Sequence, residues 1–210
     1  PYNESWGFEF RLAVNTAMQE WLAALYERAK KLDPTRLTVD NSGWSHVRTD
    51  IADFHYYTDY EAEWRSVVTL LAHEPDEATV LGHPLFAQGH FWQGEPLIMS
   101  EYGAGWKDDR SWHLHWQTNE LRRHGEIAGY TYTELYDIEH ERAGYALYDR
   151  TPKDFGYDLA MINSEDFVVL DYRGPHTLWP GEALRVSVYA RLYGLPLHEG
   201  CLLYTSDAAD

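Results

Sequence analysis

Pro96-Leu97-Ile98-Met99-Ser100-Glu101-Tyr102-Gly103 is the stretch that says most about the fold. Residues 97–100 form a short apolar run between Gly94 and Gly103, which is typical of a β-strand covered on both faces. This predicted strand ends in a carboxylate, Glu101. An ionised group at the end of a buried strand is costly unless it has partners or a function. We therefore interpret Glu101 either as a catalytic acid or as a cap of the next helix.

A second acid stands at the start of the sequence, in Pro1-Tyr2-Asn3-Glu4-Ser5-Trp6-Gly7. About two strand–helix repeats separate it from Glu101. In a (β/α)8 barrel the residue at the carboxyl end of a strand faces the active-site mouth, so two such acids can meet there. Glycoside hydrolysis requires a pair of carboxylates, one as a general acid and one as a nucleophile.

The rest of the first 135 residues alternates helix-like and strand-like patterns, which is typical of α/β folds. Apolar periodicity predicts helices over residues 16–32, 61–72 and 112–123, and strands over residues 36–40, 51–57 and 127–135. Thr16 and Gln19 predict a capping box for the first helix, and Pro34 predicts its end. Residues 74–94, rich in Gly, Pro and His, predict a long loop.

Two motifs carry a family resemblance. Asn3-Glu4 followed by Ser-Trp-Gly, and the later Ser100-Glu101-Tyr102-Gly103, resemble the acid/base and nucleophile motifs of glycoside hydrolase family 2. That family includes β-galactosidases, β-glucuronidases and β-mannosidases. Residues 148–153, Tyr-Asp-Arg-Thr-Pro-Lys, resemble the segment that leads its barrels into their last helix. The resemblance covers about residues 1–190. It implies a retaining β-glycosidase that works through a covalent glycosyl-enzyme.

The resemblance also implies a fold and a set of roles. The fold is α/β, a partial TIM (β/α)8 barrel from the end of strand 4 through strand 8. Glu4 is then the acid/base and Glu101 the nucleophile, while Asn3 binds the sugar 2-hydroxyl. A tyrosine after residue 55, either Tyr56 or Tyr57, hydrogen-bonds the nucleophile. Retaining chemistry predicts carboxyl groups roughly 5–5.5 Å apart, with the Glu4 pKa raised by the charge of its neighbour.

Four further residues are candidate substrate contacts: His55, Trp44, Trp106 and Glu134. His55 is either a contact or a hydrogen-bonded core histidine, and Trp44 ends a polar turn that either lines a subsite or is turn chemistry alone. Many members of the family carry a tryptophan at the end of the last barrel strand. Glu134 stands in that neighbourhood here, either as a third active-site acid or as the partner of a basic residue.

The domain prediction divides the chain in three. Residues 1–160 form the C-terminal part of the catalytic barrel. Strand-like residues 167–170 and 184–190, with a turn at Pro180-Gly181, predict the start of a β-sandwich over residues 161–200. Residues 201–210 resemble a translated sequencing adapter and are predicted to be an artefactual tail. The start in mid-motif predicts a fragment, which we expect to be inactive by itself.

Composition sets the expected partners. The chain has 210 residues, 44% of them apolar, and a net charge of −17, which argues against nucleic acid and membrane surfaces as partners. Its 9 Trp and 16 Tyr suit a carbohydrate substrate. We expect no cofactor and no catalytic metal, because the spacing of His73, His83 and His90 matches no zinc signature.

Two alternatives remain open at this point. Besides the retaining β-glycosidase of family 2, the first is a non-catalytic carbohydrate-binding barrel with structural acids, and the second is a barrel glycosidase of another family in the same clan. The strand-like residues after the barrel favour family 2 over the second alternative.

Overall fold

The computed structural model describes residues 1–6, 11–103, 111–171, 177–191 and 198–205. The chain forms two compact units, Pro1–Phe155 and Gly156–Asp210. The sequence pattern places this boundary between residues 160 and 161. In chain order, the strands and helices of the first unit are β1 (Tyr2–Asn3), α1 (Thr16–Leu32), β2 (Asn41–Ser42), β3 (Ala52–Tyr57), α2 (Glu61–His73), β4 (Thr79–Val80), β5 (His83–Pro84), β6 (Leu97–Gly103), α3 (Ser111–Arg123) and β7 (Ile127–Tyr132).

The first unit is a mixed α/β structure with parallel sheets, as the sequence predicts at this level. Strand β6 lies between β3 and β7 in a three-stranded parallel sheet, and β1 pairs in parallel with β2. The two sheets adjoin where the His55 N–H donates to the Gly43 carbonyl at 3.3 Å. Within the described ranges these strands form no closed barrel.

A β-bulge in β6 determines which side chains share a face. Phe54 pairs with Met99, but the next residue of β3, His55, pairs with Glu101 rather than with Ser100. The extra residue lets two consecutive side chains of β6, Ser100 and Glu101, both contact the polar side of β3, which an unbroken strand does not allow.

Helix α2 packs its apolar face into the core of the first unit. Trp64, Val68 and Leu71 on this helix are fully buried. The Trp64 ring lies 5.7 Å from the Tyr102 ring of β6 and donates its indole N–H to the Gln117 carbonyl of α3 at 3.2 Å. Full burial of side chains of this size contributes about 1.5–3 kcal/mol each and fixes β6 against both helices.

Helix α1 has the predicted bounds but a different cap. The Asn15 side chain accepts from the Met18 N–H at 3.1 Å, so the cap is one residue earlier than the predicted Thr16. Gln19 is buried and donates to the carbonyls of Leu12 and Ala13, both at 3.1 Å. It therefore anchors the segment before the helix instead of closing a capping box.

The strand predicted over residues 36–40 is wrong. The Asp50 carboxylate accepts from the Thr38 N–H at 2.8 Å and from Lys30 at 2.9 Å. The Asp50 N–H also donates to the Thr38 carbonyl at 2.9 Å. Both backbone groups of Thr38 are therefore bonded without a ladder, and the strand forms at Asn41–Ser42 instead. The loop predicted over residues 74–94 contains the β4–β5 pair, and the strand predicted over residues 127–135 ends at Tyr132.

The second unit contains an antiparallel sheet. Strand β8 (Phe167–Asp171) and strand β10 (His198–Thr205) flank β9 (Ala183–Arg191). A turn that includes the predicted Pro180-Gly181 precedes β9, with the Glu182 N–H donating to the Trp179 carbonyl at 3.0 Å. The backbone of residues 201–205, the first half of the adapter-like tail, lies within β10. Nowhere in the described part of the chain is a helix both long and apolar enough to cross a membrane.

Candidate active site

Four polar side chains meet at the carboxyl ends of parallel strands. Glu4 follows β1, His55 and Tyr57 lie in β3, and Glu101 lies in β6. They converge because the carboxyl ends of parallel strands share one edge and because residues two apart in β3 point to the same side. All four were predicted as site residues from the sequence.

The two carboxylates are close enough to act on one atom. Glu4 Oε1 is 2.7 Å from His55 Nδ1, and Glu101 Oε2 is 3.6 Å from the same nitrogen. A carboxylate oxygen of Glu4, one of Glu101 and a ring nitrogen of His55 all lie within 4.8 Å of one another. Tyr57 donates its hydroxyl hydrogen to Glu101 Oε2 at 2.7 Å. The acids are thus linked through His55 on one side and fixed by Tyr57 on the other.

The backbone around Glu4 is strained. Glu4 and Ser5 both have left-handed conformations, with φ of +57° and +49°. This region costs a residue with a side chain on the order of 1–3 kcal/mol. Two bonds hold the segment in place, from the Glu4 N–H to the Ser42 carbonyl at 2.8 Å and from the Trp44 indole to Ser5 Oγ at 2.9 Å. Strain held in this way is common at sites that orient a reactive group.

Gly43 leaves the space that His55 occupies. Its φ is +109°, and a Cβ at this position would lie 2.9 Å from His55 Nδ1. A side chain at residue 43 would therefore displace the ring nitrogen that binds Glu4.

The pKa of Glu4 differs from the prediction. Burial raises the pKa of this carboxyl, but hydrogen bonds from His55 and from the Trp6 indole lower the pKa by more. The pKa of Glu4 is therefore below its ordinary value. The prediction of a raised pKa was wrong because the sequence did not indicate that His55 lies between the two acids.

Tyr57 is a hydrogen-bond donor at neutral pH. Burial, followed by the charge and hydrogen bond of Glu101, raises the pKa of its phenol well above the ordinary value. The hydroxyl therefore keeps its proton and points it at Glu101. A hydrogen bond with the Thr133 side chain, just after β7, also holds this hydroxyl.

A buried polar network lies behind the four site residues. The Asp53 carboxylate accepts from the hydroxyls of Ser42 and Ser100, and Ser42 Oγ is 3.0 Å from His55 Nε2. Behind Asp53 lies His46, whose ring is fully buried and whose Nδ1 is 2.8 Å from Asp40.

The sequence indicated no role for Asp53, His46 or Ser100, and it placed Asp40 and Ser42 only in the polar turn before Trp44. The alternation of Asp53, His55 and Tyr57 with Phe54 and Tyr56 in β3 was the signal that could have placed Asp53 on the site face.

The other predicted contacts are placed differently. Tyr56 points away from the site and donates to Glu63 of α2 at 2.6 Å, so the tyrosine that bonds Glu101 is Tyr57. Trp44 is fully buried, with its ring 6.1 Å from that of His55, so it packs against His55 and has no exposed surface here. His55 is itself fully enclosed and contacts both acids.

Three predicted residues remain. Asn3 is exposed, directly before Glu4. Glu134 is half-buried just beyond β7, next to the residue that bonds Tyr57. Trp106 lies outside the described residues.

Two groups in the described ranges bring three metal-ligating atoms within 4.8 Å of one another: Glu4, His55 and Glu101, and separately His73, His124 and Glu126. In the first group the 2.7 Å contact between His55 and Glu4 is a hydrogen bond, so a cation there would have to replace its proton. In the second group His124 lies near Glu120 at 3.2 Å, and His73 and Glu126 are exposed.

Comparison with known proteins gives a structural likeness only. No protein-family model and no curated protein sequence matches the chain. Two solved structures are similar to it at 16% identity: a Bacteroides uniformis β-glucuronidase, with a TM-score of 0.48, and Bacteroides uniformis β-glucuronidase 2 covalently bound to cyclophellitol-6-carboxylate aziridine, with a TM-score of 0.43. Each alignment covers 90% of this chain and 31% of the other, so the chain spans about a third of the length of those proteins.

Proposed function

We propose that this chain carries the two catalytic acids of a retaining β-glycosidase of the glycoside hydrolase family 2 type. Its first unit is then the part of a (β/α)8 barrel that begins at the end of strand 4. Glu101 attacks the anomeric carbon as the bond to the leaving oxygen breaks, and Glu4 gives that oxygen a proton. Glu4 then takes a proton from the water that releases the sugar from Glu101.

The observation that carries this proposal is the separation of the two acids. Their closest carboxylate oxygens lie within 4.8 Å. Retaining glycosidases have carboxyl groups about 5–5.5 Å apart, whereas inverting ones need about 6.5–9.5 Å to admit a water between acid and sugar. The spacing of Glu4 and Glu101 supports direct attack by one acid.

Tyr57 gives the two oxygens of Glu101 different environments. Its hydroxyl binds Oε2, which stabilises the carboxylate. One oxygen of the proposed nucleophile is therefore held by a hydrogen-bond donor, and the other is available to form the bond to carbon. The same bond fixes the rotation of the carboxylate, so the attacking oxygen needs little reorientation.

The proposed partner is a carbohydrate, and nucleic acid and membranes are proposed not to be partners. The net charge of −17 gives the surface a field that repels phosphate backbones. The described residues indicate no particular sugar, so the proposed substrate class is β-glycosides in general.

The test is hydrolysis of a panel of aryl β-glycosides by the protein that contains this chain. Glu101→Gln removes the nucleophile, and we expect kcat/KM to fall by about 10³-fold or more. Glu4→Gln removes the acid, and we expect a large loss with poor leaving groups and a small one with 2,4-dinitrophenyl glycosides, which need no proton.

Glu77→Gln is the matched control, because Glu77 is exposed and lies between α2 and β4. Hydrolysis that persists in the Glu101→Gln protein would disprove the assignment.

A non-catalytic carbohydrate-binding barrel is the second candidate. The observation that favours it is the lowered pKa of Glu4, because a general acid must hold a proton when it acts. This candidate predicts sugar binding without turnover in the unmodified protein, and unchanged sugar affinity in Glu101→Gln.

A further inference from the structure

We propose that Ser42 and Asp53 are positioning residues that keep the hydrogen of His55 on Nε2, so that Nδ1 and Glu4 share a single proton. The consequence for catalysis rests on the proposed function, whereas the tautomer itself does not. The donors and acceptors in the network from Asp40 to Glu4, counted one by one, determine where each hydrogen lies.

His46, at the buried end of this network, must carry two ring hydrogens. Its Nε2 is 2.7 Å from the Asp53 backbone carbonyl, which can only accept. Its Nδ1 is 2.8 Å from Asp40 Oδ1, and the same carboxylate already accepts from the backbone N–H groups of Val47 at 2.7 Å and Arg48 at 3.0 Å. A carboxylate with this many donors is ionised, so His46 donates from both nitrogens as an imidazolium.

Asp53 lies between this buried cation and the site. The Asp53 Oδ1 atom is 3.5 Å from Nε2 of His46, so the positive charge of His46 balances the negative charge of Asp53. Its Oδ2 accepts from Ser42 Oγ and from Ser100 Oγ. Asp53 as a carboxylate has no hydrogen to give, so each serine uses its only hydroxyl hydrogen in this bond.

Ser42 therefore faces His55 as an acceptor. Its oxygen is 3.0 Å from His55 Nε2, and the hydrogen between them has to belong to the ring. With Nε2 protonated, neutral His55 carries a lone pair on Nδ1. That nitrogen is 2.7 Å from Glu4 Oε1, a distance that requires one proton between the two atoms.

The shared proton explains how a carboxyl with a lowered pKa can still serve as an acid. The proton sits either on Glu4, bonded to the Nδ1 lone pair, or on His55, which then donates to the Glu4 carboxylate. In the opposite tautomer, with a neutral ring protonated at Nδ1, Glu4 would accept this bond permanently and would have no proton to give. The relay thus keeps the acid form accessible.

The other charged and titratable groups facing the His55–Glu4 pair are few among the described residues. Glu101 Oε2 is 3.6 Å from Nδ1, Asp53 Oδ2 is 3.9 Å from Nε2, and the phenol of Tyr57 bonds Glu101. The negative charges of Glu101 and Asp53 both favour a proton on the His55–Glu4 pair. Neither carboxylate is close enough to Nε2 to replace Ser42 as its acceptor.

The direct test is NMR of the full chain with ¹⁵N-labelled histidine. In the unmodified protein between about pH 5 and 8 we expect a hydrogen on His55 Nε2, with an Nδ1 chemical shift between those of a protonated and an unprotonated nitrogen. A His55 signal with an unprotonated Nε2 in this range would overturn the proposal. This measurement needs no variant and no activity, so its failure is distinct from failure of the glycosidase assignment.

Ser42→Ala removes the acceptor, and we expect the neutral tautomer of His55 to change to Nδ1–H, with Ser42→Thr restoring Nε2–H. Ser100→Ala is the matched control: Ser100 binds the same Asp53 oxygen, whereas Ser42 bridges to His55. A tautomer that is the same in Ser42→Ala as in the unmodified protein would also overturn the proposal.

A second readout is the pH profile of glycoside hydrolysis. Loss of the Nε2 hydrogen bond in Ser42→Ala destabilises the protonated pair, so the basic limb of kcat/KM should move down by about one pH unit. A basic limb that does not move would contradict the relay, even with Glu101 confirmed as the nucleophile.

Discussion

At the scale of single residues, Tyr56 and Tyr57 are adjacent and point in opposite directions. Strand alternation sends the Tyr57 hydroxyl to Glu101 and the Tyr56 hydroxyl to Glu63 of α2. The pair therefore provides a matched test of what the site needs. Tyr57→Phe removes a donor to a charged oxygen, and we expect kcat/KM for aryl β-glycosides to fall about 10- to 100-fold.

Tyr56→Phe is the control for this prediction. It removes a similar bond on the other side of β3, so we expect lower stability, by about 1 kcal/mol, and unchanged kcat/KM. Equal activity losses in the two variants would show that the site is sensitive to β3 as a whole rather than to the Glu101 bond.

Gly43 allows a second residue-scale prediction. Gly43→Ala has to keep a φ of +109° and place a Cβ 2.9 Å from His55 Nδ1. We expect a loss of stability of about 1–3 kcal/mol and loss of the His55–Glu4 contact, visible as a changed His55 signal by NMR.

The matched control is Gly82→Ala. Gly82 has a φ of +82°, but a Cβ added there would meet no atom within 4 Å. This variant therefore has the cost of the backbone conformation without a steric clash. A His55 signal that changes equally in both variants would contradict a specific role for Gly43.

At the scale of elements, α1 tests which residue begins the helix. Asn15→Ala removes the acceptor of the Met18 N–H, and we expect the free energy of unfolding to fall by about 1 kcal/mol. Thr16→Ala is the control: Thr16 is exposed inside the first turn, and alanine has the higher helix propensity. Urea unfolding compares the two. A larger loss of unfolding free energy in Thr16→Ala than in Asn15→Ala would support the capping box predicted from the sequence.

Elements with a strong apolar pattern could be predicted from sequence, and their polar neighbours could not. The periodicity of α1 and α2 gave their bounds to within a residue. The strand expected over residues 36–40 does not form there, because Asp50, twelve residues further along the chain, bonds both backbone groups of Thr38. The bulge in β6 has no signal in the local sequence, yet it places Ser100 and Glu101 on the same face.

At the scale of the whole molecule, the two candidate acids could be predicted from sequence because each lies in a recognisable motif near the end of a strand. The network behind them could not, because Asp40, His46 and Asp53 become partners only when β2 and β3 are side by side. A buried histidine also gives no sign of its charge in the sequence. Its charge depends on the two acceptors that the fold places at its nitrogens.

This buried cation makes the stability of the molecule depend on pH. Burial lowers the pKa of His46, but the bond to Asp40 and the charges of Asp40 and Asp53 raise it to about 9, above the ordinary 6.5. A raised folded-state pKa contributes stability that is complete below about pH 6.5 and is lost as the pH rises through 9. We expect this contribution to reach about 3 kcal/mol.

The measurement is urea unfolding of the unmodified protein and of His46→Gln across this pH range. Below pH 6.5 the variant leaves the Asp40 carboxylate buried without its cation, which costs about 3–5 kcal/mol. Near pH 9 and above, the unmodified protein loses the same cation, so the difference between the two proteins should shrink as the pH rises. His140→Gln, at an exposed histidine, should show a small and constant difference. A His46→Gln difference that stays constant from pH 6 to 10 would mean that His46 is neutral, and the donor count that begins there would fail with it.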